Sequence, residues 1–111
     1  MTIRYKSTTF DLTNTNVTDV LSCPADATII IKSVQASHKA ASNVDVDLYL
    51  QKSGSSAVEI SHAQLNKTFT NMITSSLNME SNDVLKIEEG SANTITGSIS
   101  YALIDRSQEN G

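Results

Sequence analysis

Residues 43–51, Asn43-Val44-Asp45-Val46-Asp47-Leu48-Tyr49-Leu50-Gln51, alternate apolar and polar side chains without a break after the opening asparagine. Successive side chains of an extended strand point to opposite faces, so Val44, Val46, Leu48 and Leu50 share one face and Asp45, Asp47, Tyr49 and Gln51 the other. The spacing predicts a strand with one face in a core and the other in water. Lys52-Ser53-Gly54-Ser55-Ser56 then reads as a hairpin loop in which Gly54 supplies the positive φ of the reversal. Val58 and Ile60 are expected back on the core side of the next strand, with Glu59 outside.

The same grammar extends in both directions. Strands are expected over about residues 5–12, 17–23, 28–37, 44–51, 58–61, 68–73, 84–88 and 95–104, with an extended piece at 76–79 beside the sixth, and the intervening residues are Gly, Asn, Asp, Ser and Pro. No segment carries a helical stripe. In the last strand Ile95, Ile99, Tyr101 and Leu103 share a face on which Gly97 leaves a gap, so a bulge or a bulky neighbour over Gly97 is expected. Residues 88–93 read as the loop that enters this strand. Ile29-Ile30-Ile31 breaks the alternation. Either a bulge resets the register there, or another subunit covers the second face. Strands this short with turns this frequent indicate an all-β fold, a single antiparallel β-sandwich of jelly-roll type with about eight strands. The expected layout is an N-terminal extended arm or edge strand over 1–10, the sandwich over 11–106 and a flexible C-terminal tail over 107–111.

Composition narrows the function. With 111 residues the chain has room for one modest core, and the formal net charge of −4 repels phosphate backbones, which argues against nucleic acid. No apolar run is long enough to span a bilayer or to serve as a signal peptide, so synthesis in a cytoplasm is expected. The single cysteine, Cys23, rules out an intrachain disulfide. The two Asn-x-Thr matches at Asn16 and Asn66 carry no weight without a secretory signal.

Each chemical reading is outweighed by a plainer one. Asp45 and Asp47 could share a hard cation, but no Asp-rich calcium loop surrounds them and Glu59 is one further acid, so a solvated sheet face is expected and no metal. His38 and His62 lack partners at ligand spacing in the chain. No Gly-x-Ser-x-Gly elbow and no phosphate-binding glycine loop is present, so no catalytic residue and no cofactor is assigned. Cys23, beside Pro24, is expected to be a buried and inert thiol. Ile3, Tyr5 and Phe10 carry apolar surface that needs a cover. Together with Ile29 and Ile31 they are the expected assembly interface.

Three segments carry a resemblance: Val20 to Ala25 leading into Ile29 to Ala36; Val44 to Leu50; and Ser81-Asn82-Asp83-Val84-Leu85-Lys86-Ile87 closing with Ser98 to Tyr101. Their order and spacing resemble the small all-β virion proteins of tailed bacteriophages, notably of marine and cyanobacterial phages. That family tends to place Gly-Asp where this chain has Asn82-Asp83, and Asn tolerates the left-handed conformation such a turn needs. The resemblance implies a non-enzymatic building block present in many copies. The first expectation is a capsid decoration or cement protein in the virion, self-associated, with a trimer as the preferred state, and bound to the major capsid protein or other virion proteins. A tail or baseplate protein and a small carbohydrate- or receptor-binding sandwich are the alternatives, the last weakened by the absence of Trp.

Overall fold

Alternating strands are stable only where their apolar faces are buried together, and the chain achieves this with two sheets. A computed structural model describes residues 2–38, 43–65, 70–73, 76–90 and 95–106. The strands are β1 (Thr2–Asp11), β2 (Thr18–Ser22), β3 (Ala27–His38), β4 (Val44–Gln51), β5 (Ala57–Leu65), β6 (Thr70–Ile73), β7 (Leu77–Met79), β8 (Val84–Glu89) and β9 (Ile95–Asp105). The first sheet has the order β1-β9-β3-β6 with β7 also on β3, and the second has the order β2-β8-β4-β5. β6 lies opposite Val34 to Ala36 and β7 opposite Ile29 to Ile31, so the two share one edge of β3. Counted that way, each sheet has four strand positions, and the chain crosses between them in jelly-roll order, staying within the second sheet only at the β4–β5 hairpin. The expected all-β sandwich of about eight strands is the fold.

The core is aliphatic. Val44, Val46, Leu48, Leu85 and Ile87 of the second sheet meet Ile29, Ile31, Val34, Ile95 and Ile99 of the first, all nearly inaccessible to solvent. The register on β3 slips between Ile31 and Ser33, so Lys32 is an extra residue and the inward series runs Ile29, Ile31, then Val34 and Ala36. The three isoleucines alternate regularly ahead of the bulge, so Ile29 and Ile31 face inward and Ile30 alone of the three faces outward. The gap at Gly97 is filled as expected: Phe10 lies directly opposite Gly97 on β1.

Two expectations need correction. Val58 and Ile60 are 62% and 40% exposed: Ile60 is the extra residue where the pairing of β5 with β4 slips, and Val58, although it lies opposite Leu50, sits on the edge strand of its sheet, where nothing covers it. Leu65 and the half-buried Ala63 provide the core side of β5 instead. Glu89, assigned to a loop, ends strand β8 facing inward at 1% exposure, and its Oε2 accepts a hydrogen bond from the Ile95 amide at 3.1 Å. The tail at 107–111, loop residues 91–93 and the second Asn-x-Thr match lie outside the described residues.

The turn before β8 is an internal tie. Asn82 holds a φ of 67°, the left-handed geometry anticipated for this departure from Gly-Asp, and delivers Asp83 to a buried position. The Asp83 carboxylate accepts hydrogen bonds from the Ser53 amide at 3.0 Å, the Glu80 amide at 2.8 Å and the Lys52 ammonium. The Cys23 amide donates to its backbone carbonyl at 2.9 Å. The β4–β5 hairpin and the turn that crosses from β7 to β8 are thereby fastened together. Burial alone would raise the Asp83 pKa, but Lys52 and the two amides outweigh it and hold the carboxyl below its ordinary 3.8. A carboxyl depressed on folding stabilises the native state fully above its unfolded value, and that contribution is lost as pH falls through the lower folded value. Asp83→Asn is expected to cost about 2 kcal/mol at neutral pH. In urea melts stepped downward in pH, the variant should lose less stability than the wild type on entering acid.

Candidate assembly surface

The outward face of the first sheet carries an apolar cluster assembled by strand register. Tyr5 of β1 pairs with Ala102 of β9, which pairs with Ile30 of β3; one step along, Ile3 pairs with Ile104. Tyr5 is 77% and Ile3 50% exposed, whereas Ala102 between Tyr5 and Ile30 is only 4% exposed. The Lys32 ammonium, on the β3 bulge, stands 5.5 Å from the centroid of the Tyr5 ring. A groove of about 290 Å3 runs beside these residues, lined by Tyr5, Lys6, Ser7, Lys32, Ser100 and Tyr101.

The residues expected at an interface therefore separate. Ile3 and Tyr5 are on the surface. Phe10 is half-buried against the core, closing the gap at Gly97. Ile29 and Ile31, at 1% and 0% exposure, belong to the core, and the correction has a simple cause: they are the inward members of the regular alternation that runs up to the bulge at Lys32. Ile30 and Ile104 take their place on the outside. For Ile30 the signal was the isoleucine run itself, read one residue out of phase; for Ile104 it was the place beside Leu103, on the opposite face of the last strand. The N-terminal segment, read as an arm or an edge strand, lies on its own chain, paired with β9 from Thr2–Asp105 to Asp11–Thr96.

The outward face of the second sheet is acidic. Register sets Asp47 between Glu88 and His62, and Tyr49 between Lys86 and Glu59. The Tyr49 hydroxyl donates to Glu88 Oε1 at 2.8 Å, which with partial burial and the surrounding carboxylates raises its pKa to about 12. Lys86 pairs with Asp19 at 2.9 Å. His62 Nδ1 makes a short contact with Asp47 Oδ1, and that carboxylate raises the imidazole above its ordinary 6.5. Asp47 also raises Glu59, since two carboxyls this close favour one held proton. Ligand atoms of Asp47, Glu59 and His62 lie within 4.8 Å of one another, a set of donors that could hold a divalent cation. Sequence spacing hides this trio, because His62 reaches Asp47 across the hairpin and not along the chain.

Cys23 is the buried thiol expected, 3% exposed, with Sγ donating to the Ala27 carbonyl at 3.3 Å and its pKa raised by burial. His38 is buried at the end of β3. Among the described residues no helix is long and apolar enough to cross a membrane.

The sandwich has counterparts among solved structures. It superposes on a chain of the acid-stable capsid structure of Helicobacter pylori bacteriophage KHP30 with a TM-score of 0.59 and 16% identity, covering 96% of this chain and 90% of that one. It also matches a chain of Bacillus endospore appendages, described as disulfide-linked pili, with a TM-score of 0.51 and 12% identity over 95% and 88% of the two chains. At such identity the likeness is one of fold. No family model and no curated protein matches the chain.

Proposed function

We propose that this chain is a non-enzymatic structural subunit of a bacteriophage virion, a decoration or cement protein that associates with copies of itself and binds the capsid surface. The observation that carries the reading is the outward cluster of Tyr5, Ile3, Ile30, Ala102 and Ile104. A small sandwich with a filled aliphatic core has no internal need for it, and exposed apolar patches on soluble proteins mark contact surfaces. The fold likeness to a phage capsid chain and the resemblance to tailed-phage virion proteins support the same reading. Any bond between copies is non-covalent on this view, because the one thiol is buried.

Three copies about an axis remain the preferred assembly, with the major capsid protein as the surface beneath. Purified particles carrying the protein should contain it in many copies and in fixed ratio to the shell protein, measured by quantitative mass spectrometry. Ile3→Asp is expected to lower that occupancy more than about tenfold with an unchanged thermal melt, since removing a central apolar anchor typically weakens an interface by at least 2 kcal/mol. Particles that lack the wild-type protein would defeat the proposal.

A further inference from the structure

Among the edge strands of the two sheets, β1 of the first and β5 of the second carry exposed stretches that are complementary. On β1, Thr2 to Ser7 are all exposed; on β5, Ala57 to Ile60 are all exposed, while beyond them Ser61 is tied to the Met72 carbonyl of β6. Of the five large hydrophobic residues that are exposed among those described, four lie on these two stretches: Ile3, Tyr5, Val58 and Ile60. Both stretches interleave them with charge, Ile3-Arg4-Tyr5-Lys6 on one edge and Val58-Glu59-Ile60 on the other.

We infer that β1 of one copy pairs antiparallel with β5 of a second copy, Arg4 beside Glu59 and Tyr5 beside Val58, giving a head-to-tail contact. The inference rests on the assembly reading above and specifies its geometry. Side chains opposite each other across two paired strands share a face. The register that sets Arg4 beside Glu59 therefore also brings Tyr5 to Val58 on the other face and sets Ile3 next to the bulged Ile60, so charge and apolar surface match together. Open backbone groups on both edges supply the hydrogen bonds.

Pairing of like edges is opposed. An antiparallel β1–β1 contact centred on Tyr5 sets Arg4 against Lys6, and a β5–β5 contact centred on Glu59 sets that carboxylate against itself. The excess charge on each side has few local partners. Arg4 and Lys6 form no ion pair among the described residues, and Glu59 sits against the Asp47 carboxylate, where an incoming cation relieves repulsion. A contact between two different patches of one chain repeats from copy to copy and either closes as a ring, three copies being a small one, or runs on as a filament.

The experiment uses two surface variants, Tyr5→Asp to block β1 and Val58→Asp to block β5, with melts confirming that both fold like the wild type. By light scattering the wild type should assemble and each variant alone should be monomeric. A one-to-one mixture should give a species of two chains and nothing larger, because only one open edge of each kind remains. Either variant assembling alone, or a mixture that stays monomeric while the wild type assembles, overturns the head-to-tail contact and leaves self-association by another surface standing. A wild type that stays monomeric overturns the contact too, and particle occupancy then decides the assembly reading separately.

Discussion

Gly97→Ala is expected to prevent folding or to destabilise the protein by more than about 4 kcal/mol, at the upper end of what overpacking produces. A Cβ built on Gly97 falls 2.1 Å from the Gln35 carbonyl oxygen and 2.4 Å from Cζ of Phe10. The ring could rotate away; the carbonyl belongs to β3, the neighbour of β9 in the centre of the sheet, and cannot move without breaking the ladder. The two obstacles can be told apart. Adding Phe10→Ala should remove the ring contact yet leave most of the penalty, because the backbone contact persists. A Gly97→Ala protein that melts cooperatively at the wild-type midpoint would mean that β1, β9 and β3 do not meet in this register.

Leu48→Ala should cost roughly 2 to 5 kcal/mol, the range for truncating a buried leucine. Leu48 is fully enclosed, paired with Ile87 of β8 on one side and Ser61 of β5 on the other, so neighbouring strands cannot collapse onto the space it leaves. The contrast lies one and three residues back along the strand. Asp45→Asn combined with Asp47→Asn alters only the outward face of the same strand and should change stability by less than about 1 kcal/mol. Chemical denaturation of both variants measures the difference directly. A double Asn variant that unfolds more readily than Leu48→Ala would mean that the acidic face carries the fold.

The strand Val44–Gln51 was legible to the residue because its alternation is uninterrupted and one face is buried, fully at Val44, Val46 and Leu48 and partly at Leu50. Elsewhere that legibility fails. Ile29 and Ile31 read as surface because three consecutive isoleucines hide which of them faces out, while Ile60 is itself the extra residue of a slip and Val58 beside it lies on an edge strand. One extra residue inverts the face of everything beyond it, and nothing in local composition announces it. The Asp47, Glu59 and His62 grouping and the Asp83 tie were hidden for a different reason. Both depend on which strands become neighbours, a property of the whole topology and not of any window of sequence. Phe10 over Gly97 was anticipated only as a bulky neighbour, since a gap on an apolar face can be seen in the sequence while the side chain that fills it cannot.

The place of β9 between β1 and β3 also governs the order of events during synthesis. Its partners are made long before it: Thr2 pairs with Asp105, and Ala27 pairs with the same residue from the other side. Until the last strand leaves the ribosome, β1 and β3 each present an unpaired edge, with Ile3, Tyr5 and the three isoleucines exposed together. Pairings that span almost the full chain close slowly, in milliseconds to seconds for folds of this kind. During that interval the nascent chain is at its most prone to join the wrong partner. The edges that β9 later covers are thus a hazard before folding, and yield in a producing cell should fall with temperature and synthesis rate well before the finished protein melts.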